Sequence, residues 1–428
     1  VTAVKRHEDA RYGLLGRKLG HSWSPQIHAC LGSTPYALYE REPEDVETFV
    51  RSGSWQGLNV TIPYKRRAYE LADDASLRAT RLGVANTLVR RPDGTVYADN
   101  TDVGGFAWML DRFCRRAWGV GAASALSDAP VLVLGSGGAS QAVQAALQEC
   151  GADVAVISRR GADTYDTLTD RHADARLLVN TTPVGMYPAC PASPLTDEQF
   201  AGLTVLRGVL DVVYNPVRTG ICLQAERRGL PYESGLAMLV AQARQSCELF
   251  LGHGIDDGQV EQIERRLHDQ MTNICIIGMP GVGKTSAGTS LAHKLSRPFV
   301  DMDDAFLLHN EVSAADYIKS FGEAAFRDAE TEVLSSCAGR SGLVIACGGG
   351  VVERPENYDL LHQNGTIVML DRPIDGLSVV GRPVSQAMGV EAIAKRRMGL
   401  YLGWADIQVA CTGTPSDDAD EIRRLLEL

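Results

Sequence analysis

Lys284 and Thr285 close the run GMPGVGKT at 278–285, in which Gly278 and Gly283 hold the other two positions of a G-x4-G-K-T pattern. Glycines so spaced let consecutive backbone N–H groups turn inward onto phosphate oxygens. The lysine neutralises β- and γ-phosphate charge, and the hydroxyl can bind Mg²⁺. Gly281, Val282, Gly283, Lys284, Thr285 and Ser286 are therefore a candidate triphosphate cradle. FVDMDD at 299–304 then sets Asp301 and Asp303 two apart, and in an extended segment both carboxylates share a face, one for Mg²⁺ and one for an acceptor hydroxyl. A cradle of different design stands earlier. In VLVLGSGGAS at 131–140, Gly135, Ser136, Gly137, Gly138 and Ala139 follow an apolar strand and precede the helix-forming QAVQAALQE. Ser140 replaces the third glycine of G-x-G-x-x-G, so this turn alone also fits a purely structural role. The next strand, DVAVIS, decides more: it ends in Ser158, Arg159 and Arg160, where an NAD-binding chain usually carries an acidic residue. Two arginines there attract a 2′-phosphate, which favours NADP(H) over NAD.

Each cradle needs a strand before it and a helix after it. NICIIG at 273–278 and SAGTSLAHKL at 286–295 supply these for the second, and between 128 and 215 APVLVLG, DVAVIS, ARLLVNT and GVLDVV read as buried parallel strands. The sequence thus predicts an α/β protein: a two-domain part with a Rossmann-type NADP domain, followed by a P-loop NTPase-type domain with a parallel sheet. We expect one α/β domain over 1–105, completed by a helix over 235–252, and the nucleotide domain over 106–234. A polar, charged linker, partly helical, occupies 253–271, and the P-loop domain covers 272–428.

Past the P-loop come Arg327 in FGEAAFRDAE, the triple glycine of ACGGGVV at 346–352, LDRP at 370–373, Arg382 in GRP and Arg397 in RRMGLY. In this order they resemble shikimate kinase across 272–428. The resemblance implies ATP and Mg²⁺ held by Lys284, Thr285 and Asp301, with Asp303 positioning the attacking hydroxyl of shikimate. Arg327 and Arg397 would clamp the shikimate carboxylate, the backbone at Gly349 and Gly350 would lie close to the ring, and Arg382 would meet the transferring phosphoryl group from a lid. Only eleven positions separate Asp371 from Arg382, which implies a trimmed lid.

The first part carries LGHSWSPQIH (19–28), GLNVTIPYK (57–65), GVANT, DNTDVGG (99–105), NTTPVGM (180–186), DVVYNPVRTG (211–220) and MLVAQA (238–243). Together these resemble shikimate dehydrogenase over roughly 11–252. Ser22 and Ser24 precede Pro25 at a helix start, where hydroxyls and N–H groups suit a carboxylate; capping by Ser24 is a compatible role. Reducing a ketone needs a proton delivered to the developing alkoxide, and the resemblance gives that task to the Lys65 ammonium, oriented by Asp102. It also implies that Asn59, Thr61, Asn86, Asp102 and Gln242 hydrogen-bond the ring hydroxyls near Tyr214, and that Thr181, Val184 and Met186 line the nicotinamide side. The two halves would perform successive steps, from 3-dehydroshikimate to shikimate to shikimate 3-phosphate.

Bulk properties agree with small-molecule chemistry. A net charge of −11 disfavours nucleic acid and anionic membrane as partners. Ten scattered cysteines without a CxxC pair, and no apolar run of membrane-spanning length, lead us to expect a cytoplasmic location. Two other readings have distinct signatures. A dehydrogenase with a merely ligand-binding kinase-like module would rest on the short lid. A metabolite sensor would have lost catalytic groups and gained a basic DNA-binding element, and neither is visible.

Overall fold

Short runs rich in Val, Leu and Ile become strands, and the turns that end them carry the candidate chemistry. The computed structural model describes residues 10–20, 22–373, 377, 389–411 and 413–428. The chain divides into two compact units. One comprises the residues up to Pro183, with Pro194–Tyr214 and Gln224–Arg266; the other comprises Val184–Ser193, Asn215–Leu223 and Leu267–Leu428.

The first unit contains two sheets. Strands β1 (Tyr12–Gly16), β2 (Tyr36–Glu40), β3 (Gly57–Val60), β4 (Asp74–Ala75), β5 (Thr87–Arg90) and β6 (Val96–Asp99) lie in the order β2-β1-β3-β5-β6-β4. This sheet is mixed, because β5 runs antiparallel to both β3 and β6. The register sets Asn59 of β3 opposite Thr87 of β5, which brings two buried polar residues face to face. The second sheet, β7 (Pro130–Leu134), β8 (Asp153–Ile157), β9 (Leu177–Asn180), β10 (Gly208–Asp211) and β11 (Tyr232–Glu233), is parallel with order β11-β10-β9-β7-β8. The strand order reverses between β7 and β9, and the crevice at their carboxyl ends is where doubly wound sheets bind nucleotides. Gly135 and Thr181 are the first residues past those two strands.

Helix Thr101–Trp118 packs along helix Leu236–Leu251. Two adjacent glycines permit the contact. A Cβ at Gly104 would lie 2.1 Å from the Gln245 side chain, and one at Gly105 would lie 2.7 Å from Gln242 Cβ and 2.9 Å from the Met238 carbonyl oxygen. The pair in DNTDVGG thus lets Gln242 sit beside the first turn of the helix that carries Asp102. Asp257–Met271 is also helical, with Val260, Ile263, Leu267 and Met271 buried at helical spacing, so the polar stretch expected as a linker is mostly an amphipathic helix.

In the second unit β12 (Asn273–Ile277), β13 (Phe299–Asp301), β14 (Val344–Ala346), β15 (Gly365–Asp371) and β16 (Ile407–Ala410) form a parallel sheet of order β13-β14-β12-β15-β16. Both faces are covered: Cys275 and Ile277 enter one apolar cluster, Ile274 and Ile276 the other. Full burial of each such isoleucine stabilises the fold by about 1.5–3 kcal/mol, which anchors the strand feeding the P-loop.

Candidate active sites

In the first unit Lys65 opens helix Lys65–Glu70, and Asp102 lies in the first turn of helix Thr101–Trp118, where the helix dipole favours a carboxylate. Their ion pair, Lys65 Nζ to Asp102 Oδ2, is 2.6 Å long, and the two side chains are 24% and 13% exposed. Asn86 Nδ2 donates to Asp102 Oδ1 at 2.9 Å and to Thr101 Oγ1 at 3.0 Å, while Asn86 Oδ1 accepts from the Thr101 N–H at 2.7 Å. Gln242 Oε1 accepts from Asn86 Nδ2 at 3.4 Å. One turn on from Gln242, the buried Ser246 hydroxyl contacts Asn59 Nδ2 at 2.8 Å, Thr87 Oγ1 at 2.8 Å and Thr101 Oγ1 at 3.0 Å. The network extends to Tyr36, which donates to Asn59 Oδ1 at 2.8 Å. Lys65, Asp102, Asn86, Gln242 and Asn59 are therefore joined by one set of bonds, and Ser22 Oγ donates to Ser24 Oγ at 3.1 Å. Thr61 follows β3, and Tyr214 lies three residues past β10.

Ser24 does not cap its helix. Helix Ser24–Leu31 has Trp23 at the N-cap without a side-chain bond, and it is Ser22 Oγ that accepts from the Ser24 N–H, at 3.2 Å. The physical reason is that the helix begins one residue earlier than Pro25 suggests, which makes Ser24 helical. Beside this network His28 is buried, stacked on Tyr36 at 4.1 Å and bonded through Nδ1 to Ser33 Oγ at 2.7 Å. Burial pushes its pKa down to about 3 against the opposing hydrogen bond from Asn59, so the imidazole is neutral.

At the dinucleotide turn Gly135 has φ +102°, and a Cβ there would meet Thr181 Oγ1 at 2.9 Å. Gly137 is the N-cap of helix Gly138–Glu149, and added Cβ atoms at Gly137 and Gly138 would touch nothing, so the backbone N–H groups from Ser136 to Ala139 are open to a phosphate, whereas the Gly135 N–H donates to the Ile157 carbonyl at 2.8 Å. Thr181 donates its hydroxyl to the Leu134 carbonyl at 2.6 Å, fixing the two strand ends to each other. Ser158 is buried while Arg159 and Arg160 are exposed just past β8. Val184 and Met186 belong to the second compact unit, and both are exposed.

In the second unit Gly278, Gly281 and Gly283 have φ of +141°, +87° and +111°, which makes three turns of the P-loop dependent on glycine. A Cβ at Gly278 would stand 2.5 Å from the Leu370 carbonyl oxygen. Lys284 Nζ donates to the carbonyls of Gly278 and Met279 at 2.9 and 3.1 Å, and Thr285 Oγ1 donates to Asp301 Oδ2 at 2.7 Å. These hard oxygen donors beside a phosphate-binding turn fit Mg²⁺. The Asp301–Asp303 pair differs from expectation: β13 ends at Asp301, which caps helix Met302–Asn310 by accepting from the Asp303 N–H at 2.9 Å. The two carboxylates do not share a strand face, yet both line one cavity of about 850 Å³ together with Lys284, Thr285, Arg327 and Arg397. Val282 is buried beneath the loop, and Ser286 lines the cavity.

Arg327 and Arg397, 70 residues apart in sequence, converge. Each places a guanidinium Nη2 on Glu353 Oε2, at 3.1 and 3.0 Å. Arg327 also pairs with Glu330 at 2.7 Å, and Arg397 donates to the Gly349 carbonyl at 3.2 Å. Among the described residues the buried Nε atoms of both arginines have no hydrogen-bond partner. The room left by Gly349 and Gly350 is taken by the protein itself: Cβ atoms there would lie 2.7 Å from Pro280 and 2.2 Å from the Arg327 guanidinium. Arg382 lies outside the described residues.

Residues 14–88 match the family model of the shikimate dehydrogenase substrate binding domain, and residues 280–427 match that of shikimate kinase. The shikimate dehydrogenase (NADP(+)) of Dinoroseobacter shibae is 36% identical over 264 residues, which is 56% of this chain and 91% of that protein. The chain belongs to the shikimate dehydrogenase family. Among solved structures, a chorismate mutase/shikimate 5-dehydrogenase fusion protein from Clostridium acetobutylicum is similar to 60% of this chain and 96% of its own, with 35% identity and a TM-score of 0.54. Shikimate 5-dehydrogenase of Thermus thermophilus in complex with NADP(H) and shikimate, 30% identical, covers 60% of this chain and 98% of its own with a TM-score of 0.50. A shikimate kinase domain follows the dehydrogenase part. In the dehydrogenase part, sequence reading passed over Tyr36, Thr101 and Ser246, although Thr101 sits inside DNTDVGG and Ser246 lies one helical turn from Gln242. In the kinase part it passed over Glu330 and Glu353, and the three-residue spacing of Arg327 and Glu330 on a helix was a usable signal.

Proposed function

We propose that this chain catalyses two consecutive reactions, NADPH-dependent reduction of 3-dehydroshikimate to shikimate and ATP-dependent phosphorylation of shikimate to shikimate 3-phosphate. One observation carries the reading in both halves: the polar groups that the chemistry calls for, apart in sequence, meet at bonding distance, the Lys65 ammonium on Asp102 at 2.6 Å and the Thr285 hydroxyl on Asp301 at 2.7 Å. When bound, NADPH supplies the hydride, and ATP with its Mg²⁺ supplies the phosphoryl group. In the reduction the Lys65 ammonium gives a proton to the carbonyl oxygen as charge develops on it, and Asp102 holds that ammonium in place. Asn59, Asn86 and Gln242 orient the ring hydroxyls, and Ser22 and Ser24 hold the substrate carboxylate. Arg159 and Arg160 select the 2′-phosphate. In the phosphorylation Lys284 neutralises phosphate charge, Asp303 aims the attacking hydroxyl, and Arg327 and Arg397 grip the shikimate carboxylate. Ten free cysteines and an acidic surface fit a cytoplasmic enzyme.

Single substitutions in the full chain test this. Lys65→Ala is expected to abolish NADP⁺ reduction by shikimate while ADP release on added shikimate continues, and Lys284→Ala is expected to do the reverse. Loss of both activities from either folded variant contradicts two separate sites.

A further inference from the structure

We propose that Glu353 is a positioning residue for the phosphotransfer site, holding the forks of Arg327 and Arg397 in the orientation that receives the substrate carboxylate. The proposal rests on the reading of those arginines as the carboxylate clamp and adds a residue that no part of that reading names. Gly350 is followed by a 3₁₀ turn, Val351–Glu353, pinned by two buried valines and by the Glu353 N–H donating to the Gly350 carbonyl at 3.0 Å. This rigid turn delivers one carboxylate oxygen, Oε2, to Arg327 Nη2 at 3.1 Å and to Arg397 Nη2 at 3.0 Å. Oε1 meets the exposed Arg396 at 2.8 Å. The Glu353 side chain is only 7% exposed, and Glu353 is not among the residues lining the cavity that Arg327 and Arg397 both line.

One oxygen shared by two guanidinium groups ties helices Ala314–Ala338 and Val390–Trp404 to the same point, so neither fork can rotate independently. Among the described residues, neither arginine's buried Nε has a hydrogen-bond partner. Arg327, Arg397, Glu330 and Glu353 are two cations and two anions, all buried. A substrate carboxylate entering this neutral cluster is recognised by donor direction more than by net charge, and direction is what Glu353 supplies.

The test compares Glu353→Leu, which removes the acceptor at similar volume, with Glu353→Gln, which retains an acceptor oxygen without the charge. In the full chain with saturating ATP, Glu353→Leu is expected to raise the KM for shikimate at least tenfold while leaving the KM for ATP within about twofold. Glu353→Gln is expected to stay within about threefold of the parent for both. Three outcomes overturn the proposal: an unchanged or lowered shikimate KM in Glu353→Leu, an equal rise in the KM for ATP, or equal damage from Gln and Leu. The carboxamide analogue of shikimate separates the proposal from its foundation. If the parent protein phosphorylates analogue and shikimate with equal KM, the clamp reading itself fails. If the parent discriminates and Glu353→Leu discriminates equally well, the clamp stands and the role of Glu353 is refuted.

Discussion

Arg396 and Arg397 are neighbours in sequence, yet the structure gives them opposite surroundings, and truncating each in turn measures whether the substrate grip is set where we place it. On helix Val390–Trp404 successive side chains diverge by about 100°. Arg397 is 3% exposed, lines the cavity and makes two bonds, to Glu353 and to the Gly349 carbonyl. Arg396 has a side chain 55% exposed and a single ion pair to the same glutamate. Arg397→Ala removes a charged hydrogen bond to the substrate, worth about 1.5–3 kcal/mol, or roughly a 10- to 150-fold rise in the KM for shikimate. Glu353 retains Arg327 and Arg396 as partners, so the carboxylate is not left buried alone and the domain should still fold. Arg396→Ala removes a half-exposed pair worth about 0–1 kcal/mol and should change the KM for shikimate by less than about threefold. Initial rates of ADP release at varied shikimate and fixed saturating ATP give both numbers, and melting curves confirm the fold. A larger effect from Arg396→Ala than from Arg397→Ala would refute the reasoning.

Three further outcomes follow from individual contacts. The parent protein should use NADP⁺ far better than NAD⁺, and Arg159→Asp should erode that ratio; equal kcat/KM with both cofactors in the parent protein contradicts the 2′-phosphate assignment. Gly105→Ala places a methyl 2.7–2.9 Å from Gln242 Cβ and from backbone atoms of Gln242 and Met238, which cannot move cheaply. Its expected cost is about 1–3 kcal/mol, with a fall in dehydrogenase rate and unaltered kinase rate on added shikimate. His28 is held near pKa 3 by burial, below its unfolded value of about 6.5, so its contribution to stability is complete above pH 6.5 and is lost as pH falls towards 3. At pH 4.5 that loss is about 2–3 kcal/mol, and the melting temperature of His28→Phe should therefore depend less on pH between 7 and 4.5 than that of the parent.

Both cradles were legible because their residues are consecutive: glycine spacing, a preceding apolar strand and a following helix are all local. Lys65 and Asp102 were legible only through motif resemblance, since nothing local says that a lysine at one helix start faces an aspartate at another. Ser246, Tyr36 and Glu353 escaped for a related reason: the bonds that give them meaning arise when strand register and helix packing are set. Asp301 and Asp303 were placed at the right site with the wrong local geometry. Strand periodicity carried to Asp303 runs two residues past the end of β13 at Asp301, although an aspartate followed by acidic residues and an apolar run is itself a helix-start signal. The helical character expected within 253–271 is present, and only its extent was masked by charge, since the buried stripe of helix Asp257–Met271 is Val260, Ile263, Leu267 and Met271.

The central claim, two consecutive reactions on one chain, is tested most directly by incubating the full-length protein with 3-dehydroshikimate, NADPH, ATP and Mg²⁺ and following the products by mass spectrometry alongside NADPH absorbance. We expect shikimate 3-phosphate to form, with total shikimate plus shikimate 3-phosphate equal to the NADPH consumed. Accumulation of shikimate with ATP unspent, or an absorbance that does not fall, would contradict it.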